Sequence, residues 1–266
     1  MQYALVSDVR LEAFRGGRGI CELCRAATVS KCGPRVMHHW AHAARKGCDP
    51  WWENETEWHR AWKNRFPEEC RERCCTAPDG EVHRADIVTP TGIVIETQHS
   101  AMSDEERISR ERFYHNLVWI VDGTPFNENF DCYHLLPHPK SAVAEDIVWV
   151  KATRPLKGAA RGLFFRVSEM RKEYPDATKV NVRGGWYHSM HEIETLVNES
   201  YCGHQQYDWV RPQRTWLDAT CPVYIDFGDD SLLRLDNYDE SGMLCVFRVS
   251  KLKFMHDVMT ETSISP

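Results

Sequence analysis

Two carboxylates and an amide lie close together in a part of the sequence that is otherwise rich in apolar residues. Asp86 is followed ten residues later by Glu96, and Gln98 comes two residues after Glu96. Alternate side chains of a strand point to the same face, so Glu96 and Gln98 are predicted to share one. A hairpin would bring Asp86 beside Glu96, and such a pair suits Mg²⁺ or Mn²⁺ and the hydrolysis of a phosphodiester. The alternative is that both carboxylates form ordinary ion pairs, Asp86 with Arg84.

A second group of candidate ligands lies in the first 50 residues. Cys21-x-x-Cys24 is followed, after fourteen intervening residues, by His39-x-x-His42. Two thiolates and two imidazoles complete the tetrahedral coordination of a structural Zn²⁺. The other interpretation is a reduced cysteine pair beside core histidines. Three further residues leave the choice of ligands open: Cys32, Cys48 and His38.

Four side chains near the carboxylates are candidates for contact with the phosphates of a nucleic acid. They are His59, Lys63, Arg84 and Arg110. His59 and Lys63 are four residues apart, so they would lie on one face of a helix. The alternative for each of the four is a solvated surface, where charged residues are common.

The elements that must position these residues follow the order αβββαβ. Apolar residues recur at helical spacing from Trp58 to Phe66, and Ser103 with Glu106 forms a capping box that begins a second helix. Turn residues separate three strand-like runs between the helices. The predicted elements are a helix over 53–66, strands over 71–76, 82–88 and 93–98, a helix from Ser103 to Tyr114, and a strand from Leu117 to Val121.

Length and composition indicate a folded protein of one or two domains. The chain has 266 residues, of which 42% are hydrophobic and 27% charged, which excludes disordered and collagen-like classes. Its net charge of −6 argues against a protein that coats nucleic acid through bulk charge. We see no signal peptide pattern and no apolar run near about 18 residues, so we expect a cytoplasmic protein without a membrane partner. Eleven cysteines in such a chain favour metal binding or burial over disulfides.

The character of the sequence predicts three segments in a mixed α/β protein. Residues 1–50 form a small Cys/His module with short strands, and residues 51–140 contain the αβββαβ core. Residues 141–266 are β-rich and contain no motif with an identifiable chemistry. This last segment is either a second domain or a layer that completes the first.

Several short motifs between Ala4 and Asp122 together resemble a known family. They are Cys21-x-x-Cys24, His39-Trp40-Ala41-His42, Glu57-Trp58-His59 with Lys63, Arg84-Ala85-Asp86, Glu96-Thr97-Gln98-His99-Ser100, and Tyr114 followed by Val118-Trp119-Ile120-Val121. In this order of elements they resemble the PD-(D/E)xK nuclease superfamily, whose core is that of restriction endonucleases. Within that superfamily the sequence is similar to the CoiA-like competence proteins.

The resemblance implies a metal-dependent nuclease that acts in competence or antiviral defence, with DNA as the expected substrate and RNA as the alternative. Asp86 and Glu96 would hold the catalytic Mg²⁺ or Mn²⁺, and Glu57 would assist from the helix. Gln98 would stand where many such nucleases have lysine. An amide supplies no positive charge, so Gln98 would orient the attacking water or a phosphate oxygen.

Two other functions stay open. One is a nucleic-acid-binding accessory protein with weak or no cleavage. The other is a subunit of a larger assembly, either a homo-oligomer or a complex with a partner protein, in which the C-terminal aromatic residues form the contact.

Overall fold

The computed structural model describes residues 1–44, 48–51 and 54–264. These residues divide into two compact units. Unit 1 comprises 1–120, 219–221 and 257–264, and unit 2 comprises Val121–Asp218 and Pro222–His256. The predicted division into three segments stays a prediction. Within the described ranges, no helix is long and apolar enough to cross a membrane.

The N-terminal part of unit 1 is a five-stranded antiparallel sheet in the order β2-β1-β3-β4-β5. Its strands are β1 Tyr3–Val6, β2 Val9–Glu12, β3 Arg18–Ile20, β4 Ala27–Lys31 and β5 His39–His42. The buried ring of Trp40 packs with Ala4 and Ala13 to form a small core on this sheet. The expected short strands around a Cys/His cluster near the N-terminus are therefore present.

The rest of unit 1 follows the predicted order αβββαβ. Its helices and strands are α1 Glu57–Lys63, β6 Arg71–Thr76, β7 Val82–Val88, β8 Val94–Gln98, α2 Asp104–Phe113 and β9 Leu117–Asp122. A 3₁₀ turn over Glu68–Cys70 precedes β6. The four strands are neighbours in the order β9-β8-β7-β6, and each pair from β6 to β8 is antiparallel.

Local sequence explains where the two helices of this part begin and end. The Thr56 side chain accepts a hydrogen bond from the backbone of His59, so α1 begins after Thr56 rather than at residue 53, which lies outside the described residues. Asn64 caps its C-terminus. The Ser103 hydroxyl accepts a bond from the backbone of Glu106 and begins α2 as predicted.

Strands β8 and β9 are buried along their whole length. Burial on both faces explains why β9 is a nearly continuous apolar run. In β8 only the first two residues are apolar, and its polar side chains are also removed from solvent. These are Glu96, Thr97 and Gln98 at the C-terminal end of the strand.

Unit 2 is mostly sheet, and its core includes Trp149, Phe164 and Tyr238. One group of strands has the order β10-β14-β17-β16-β15, and a separate three-stranded sheet has the order β11-β12-β13. The strands are β10 Phe130–Leu135, β11 Ile147–Trp149, β12 Leu163–Arg166, β13 His188–Ser189, β14 His204–Trp209, β15 Val223–Asp226, β16 Ser231–Asn237 and β17 Leu244–Ser250. The helices are α3 Ala142–Glu145, α4 Val167–Met170, α5 Glu194–Ser200, α6 Arg214–Leu217 and α7 Lys251–Thr260, with 3₁₀ turns over Thr124–Asn129, Ala159–Arg161 and Met190–Glu192.

Candidate active site and metal-binding cluster

The hairpin of β7 and β8 brings Asp86 and Glu96 together. Ile87 pairs with Ile95, and the next residues along the two strands are Asp86 and Glu96. The backbone N–H of Asp86 donates to Oε1 of Glu96 at 3.4 Å. Two carboxylates thus stand side by side at the end of a buried strand pair, as the sequence pattern predicts.

Thr97 joins this pair, although strand alternation placed its side chain on the opposite face. Oδ2 of Asp86 accepts one hydrogen bond from the backbone N–H of Thr97 at 3.0 Å and another from its hydroxyl at 2.5 Å. The regular ladder between the strands ends at Ile87 and Ile95. The sequence pattern considered only which face each side chain occupies, so it missed this contact, which also uses the backbone N–H of Thr97.

Glu96 is a buried carboxylate with only part of its charge balanced. Its side chain is 5% exposed, and Oε2 accepts a bond from the Arg110 guanidinium at 3.0 Å. Burial, together with the charge of Asp86, raises the pKa of Glu96 to about 8 despite Arg110. The site therefore lacks positive charge at Glu96, and a bound cation would supply it.

Gln98 lies at the same end of β8 and is 1% exposed. Its Nε2 donates to the carbonyl oxygen of Ser100 at 3.1 Å and to the Ser100 hydroxyl at 3.3 Å. These bonds fix the orientation of the amide. A fixed amide can orient a water or a phosphate oxygen but cannot act as a base.

Asp86, Glu96, Thr97 and Gln98 line one cavity of about 80 Å³. A cavity of this size holds an ion with a few waters and is too small for a nucleotide. Other polar side chains of unit 1 complete the lining: Asp49, Asn54, Glu55, His59, Lys63, Glu72, Arg84 and Arg110.

The helical carboxylate predicted for this site is not in the cavity. Glu57 is exposed in the first turn of α1 and does not line the cavity, whereas Glu55 does. Residues two apart on a helix point in different directions, so Glu57 cannot share the face of His59. Glu55, four residues before His59, occupies the position that the sequence assigned to Glu57.

Lys63 is buried between two carboxylates. Its side chain is 3% exposed, and Nζ pairs with Glu55 and, at 2.7 Å, with Oε1 of Glu72. Burial alone would lower the pKa of Lys63, but the charges of Glu72, Asp86 and Glu55 raise it above its usual value. Lys63 is therefore a cation within the cavity rather than on a solvated helix face, and its predicted contact with phosphate stays a prediction.

Glu72 was missed by sequence reasoning because strand alternation gives no reason to single it out. Its φ angle is 45°, in the left-handed region that non-glycine residues rarely adopt. The carboxylate accepts bonds from the Gln2 backbone at 2.8 and 2.9 Å and from Lys63. Burial alone would raise the pKa of Glu72, but Lys63 holds it well below its usual range.

Arg84 connects the cavity to the cysteine cluster. Its backbone N–H donates to Oδ2 of Asp49 at 2.9 Å, and its guanidinium donates to Sγ of Cys21 at 3.2 Å. The other Asp49 oxygen pairs with Nδ1 of His83 at 2.8 Å. Arg84 thus points toward a thiol, and its predicted contact with phosphate stays a prediction.

His59 and Arg110 are also engaged within unit 1. His59 is 5% exposed, and its Nδ1 lies 2.8 Å from the Thr56 hydroxyl. Arg110 is 3% exposed and donates to Glu106 and to the backbone carbonyl of Trp51 in addition to Glu96. All four predicted phosphate contacts therefore have partners inside unit 1.

A separate cluster of three thiols and one imidazole lies in the N-terminal sheet. The ligand atoms of Cys21, Cys24, His42 and Cys48 all lie within 4.8 Å of one another. Cys21 and Cys24 occupy the turn between β3 and β4, where Cys21 N–H donates to the carbonyl of Ala26 at 2.9 Å. Thr28 pairs with His42 across β4 and β5, which brings the imidazole beside that turn.

Cys48 takes the place that the sequence assigned to His39. His39 pairs with Lys31 at the far end of β5, and its Nδ1 lies 2.8 Å from the carbonyl oxygen of Met37. Residues three apart in a strand point to opposite faces, so His39 and His42 cannot reach the same ion from β5. Cys48 was one of the alternatives that the spacing left open.

The chemistry of this donor set fits a metal ion such as zinc. The Sγ atoms of Cys21 and Cys48 are 3.7 Å apart, and Sγ of Cys24 is 3.2 Å from Nε2 of His42. Tetrahedral zinc with a Zn–S distance of about 2.3 Å separates its ligand atoms by about 3.5 to 3.8 Å. A disulfide would require about 2.05 Å, so the Cys21 and Cys48 thiols are not bonded to each other.

Thiol ionisation in the cluster also suits a cation. Burial opposes ionisation of Cys21, but the backbone N–H of Cys24 and the charge of Arg84 lower its pKa to about 6. Burial, together with Cys24 and Cys21, raises the pKa of Cys48. A bound cation would remove this repulsion between thiolates, because metal ligands are held deprotonated.

Comparison with protein-family models, with curated proteins and with solved structures finds no match to this chain. The resemblance drawn from the motifs therefore stays a prediction.

Proposed function

We propose that the protein is a metal-dependent nuclease of the PD-(D/E)xK type that resembles the CoiA-like competence proteins. The observation that carries the proposal is the pair formed by Asp86 and Glu96, with Gln98 beside them in one cavity. The order αβββαβ, with these three residues on the central hairpin, adds support.

Four side chains that line the cavity have defined parts in this proposal. Asp86 and Glu96 would hold a Mg²⁺ or Mn²⁺ ion, and Glu96 would release its proton when the ion binds. Thr97 fixes Asp86 through two hydrogen bonds, and Ser100 fixes Gln98. Gln98 would then orient the attacking water or a phosphate oxygen.

The reaction would be hydrolysis of a phosphodiester. A divalent ion at this position supplies acidity to water and stabilises negative charge on the phosphate. The water oxygen would bond to phosphorus and give up a proton to solvent, while the ester oxygen would leave with the electron pair of the broken P–O bond and take up a proton from solvent. The cavity admits the ion and waters, so the phosphate would meet them at its mouth.

A binding protein with little or no cleavage is the second candidate function. It is favoured by Arg110, whose guanidinium occupies one oxygen of Glu96 where a metal would bind. An arginine that replaces the cation permanently would leave the fold without the chemistry. The two functions differ in whether a divalent ion displaces the proton of Glu96 and loosens its pairing with Arg110.

The full chain tests the proposal with supercoiled, linear and single-stranded DNA and with RNA, each in Mg²⁺, Mn²⁺ or chelator. We expect Asp86→Asn to reduce cleavage on the order of 10²- to 10⁴-fold, because loss of the ion removes several kcal/mol of transition-state stabilisation. Binding of Mn²⁺, followed by electron paramagnetic resonance, should weaken in parallel. Asp79→Asn, at an exposed turn of the same sheet, is the matched control.

Cleavage and Mn²⁺ binding that survive in a folded Asp86→Asn protein would contradict the nuclease proposal. No cleavage by the unaltered chain, together with no Mn²⁺ binding, would favour the second candidate function.

A further inference from the structure

Positive charge is concentrated in one segment of unit 2. Residues 151–187 contain nine Lys and Arg and three Asp and Glu, a net charge of +6 in a chain whose total is −6. The segment lies wholly within unit 2. Such a concentration marks a surface that attracts a polyanion even though the protein as a whole is acidic.

Most of these cations face solvent. Three of the nine pair with carboxylates: Arg154 with Asp131, Arg166 with Asp146 and Lys179 with Asp239. The other six are exposed and form no ion pair within the described part of the chain. They are Lys151, Lys157, Arg161, Arg171, Lys172 and Arg183.

Three aromatic side chains of the same segment are also exposed. Trp186 is 81% exposed, Tyr187 67% and Tyr174 62%. Trp186 is the most exposed large hydrophobic side chain among the described residues. Aromatic rings left in water beside cations suggest a ligand that offers both flat apolar faces and negative charge.

Two of the exposed rings, Tyr174 and Tyr187, lie at or beside cavities that exposed cations also line, and Trp186 directly precedes Tyr187 in the chain. Tyr174 and Arg183 line a cavity of about 590 Å³, and Arg183 with Lys151 lines another of about 480 Å³. Phe165 also lines the second cavity, and the ring of Tyr187 packs against it with centroids 4.9 Å apart. Arg183 therefore joins the two cavities.

We infer that this surface binds single-stranded nucleic acid. Phosphates would pair with exposed cations such as Lys151 and Arg183, and bases would stack on Trp186, Tyr187 and Tyr174. The faces of the bases are accessible in a single strand but covered in a duplex. Glu173 and Asp176 lie beside Tyr174, so the phosphates are expected on the side of Lys151.

An acidic peptide would satisfy the cations but gives no reason for three exposed rings. The inference rests on unit 2 alone and does not depend on the proposed nuclease chemistry. It would hold equally for an active nuclease and for a binding protein.

The test measures binding of the full chain to fluorescein-labelled oligo(dT) and oligo(rU) of about 20 nucleotides, longer than a typical single-strand site. Fluorescence anisotropy is recorded over a salt series in Ca²⁺ without Mg²⁺, so that cleavage does not interfere. We expect the double variant Trp186→Ala with Tyr187→Ala to weaken binding at least about tenfold, because each stacked base contributes to affinity. Oligo(dT) and oligo(rU) distinguish DNA from RNA as the preferred strand.

A second double variant tests the cations. Lys151→Ala with Arg183→Ala should reduce the slope of log affinity against log salt by about 1.4, since each contact on a single strand contributes about 0.7. Leu252→Ala and Lys140→Ala, at exposed positions elsewhere in unit 2, are the matched controls and should change neither quantity.

Three results would overturn the inference. The first is unchanged affinity in both double variants, and the second is tighter binding of a duplex of equal length. The third is equally effective competition by heparin, which carries negative charge but no bases. A loss of affinity confined to the double variants supports the inference, whatever the outcome for cleavage.

Discussion

The candidate active site of unit 1 and the basic segment 151–187 of unit 2 differ in how most of their cationic side chains are placed. At the site, Lys63 and Arg110 are 3% exposed and pair with carboxylates. In the segment, Lys151 and Arg183 are exposed, as is Trp186. The same residue types thus hold acids in place in one region and remain available to a ligand in the other.

This difference shows that a cation close in sequence to a predicted catalytic motif can be buried in an ion pair. A cation near buried carboxylates is drawn into the interior, because an unpaired buried charge is costly. In the segment 151–187, which has few acids, most of the nine cations are exposed. Catalysis and the binding of single-stranded nucleic acid would then belong to different units, and three further measurements test that separation.

The largest expected effect concerns the cysteine cluster, which lies in unit 1. Structural zinc contributes about 10–16 kcal/mol in small zinc-binding peptides, so loss of one ligand should remove several kcal/mol. We expect Cys48→Ser to lose zinc to a chelator and to lower Tm by about 10 °C or more. Zinc content by elemental analysis and melting by circular dichroism measure both effects.

Two matched variants control the cluster experiment. Cys32→Ser removes a thiol outside the cluster, and His39→Ala removes the imidazole that the sequence predicted as a ligand. Both should retain about one zinc per chain. Equal loss of zinc in His39→Ala and His42→Ala would contradict the observed ligand set.

The next largest effect distinguishes buried from exposed lysine. Lys63→Met leaves Glu55 and Glu72 without their shared cation, and breaking a buried pair costs about 3–5 kcal/mol. Lys151→Met removes a solvated charge and should cost less than about 0.5 kcal/mol. Urea unfolding of both variants measures the difference in the free energy of unfolding.

Adding Glu72→Gln to Lys63→Met should recover part of the stability, since Lys63 is the ion-pair partner of Glu72, whereas Glu55 also pairs with Arg60. If Lys63→Met destabilised the protein no more than Lys151→Met, the contrast between the units would fail.

Sequence periodicity predicted the elements of unit 1 well because each signal is local. Alternation and turn residues define β6, β7 and β8, and Ser103 defines the start of α2. The pairing of Asp86 with Glu96 also follows from a local hairpin. These features depend on residues near each other in the chain, so a sequence pattern can predict them.

The partners of the site could not be predicted because they come from distant segments. Asp49 reaches His83 and Arg84 from before α1, and Glu72 enters the cavity through a left-handed backbone. Cys48 reaches the cluster from a loop with no periodic pattern. Burial of Lys63 was missed for the same reason, since neither of its carboxylate partners lies on its own helix.

The smallest effect, taken per pH unit, concerns Glu96, whose pKa is raised to about 8 by burial and then by Asp86. The folded protein keeps a proton that the unfolded chain loses above its ordinary pKa of about 4.3. The contribution of protonated Glu96 to the free energy of unfolding is therefore complete below a pH of about 4.3 and is lost as pH rises toward 8, at about 1.4 kcal/mol per pH unit.

Glu96→Gln should remove this part of the pH dependence, whereas Glu105→Gln, an exposed control on α2, should not. Unfolding free energies in urea at pH 6 and 7, without divalent ions, give the comparison. An identical change between these two pH values in Glu96→Gln and the unaltered protein would show that Glu96 is ionised in the fold, and the cavity would then already hold enough positive charge without a metal.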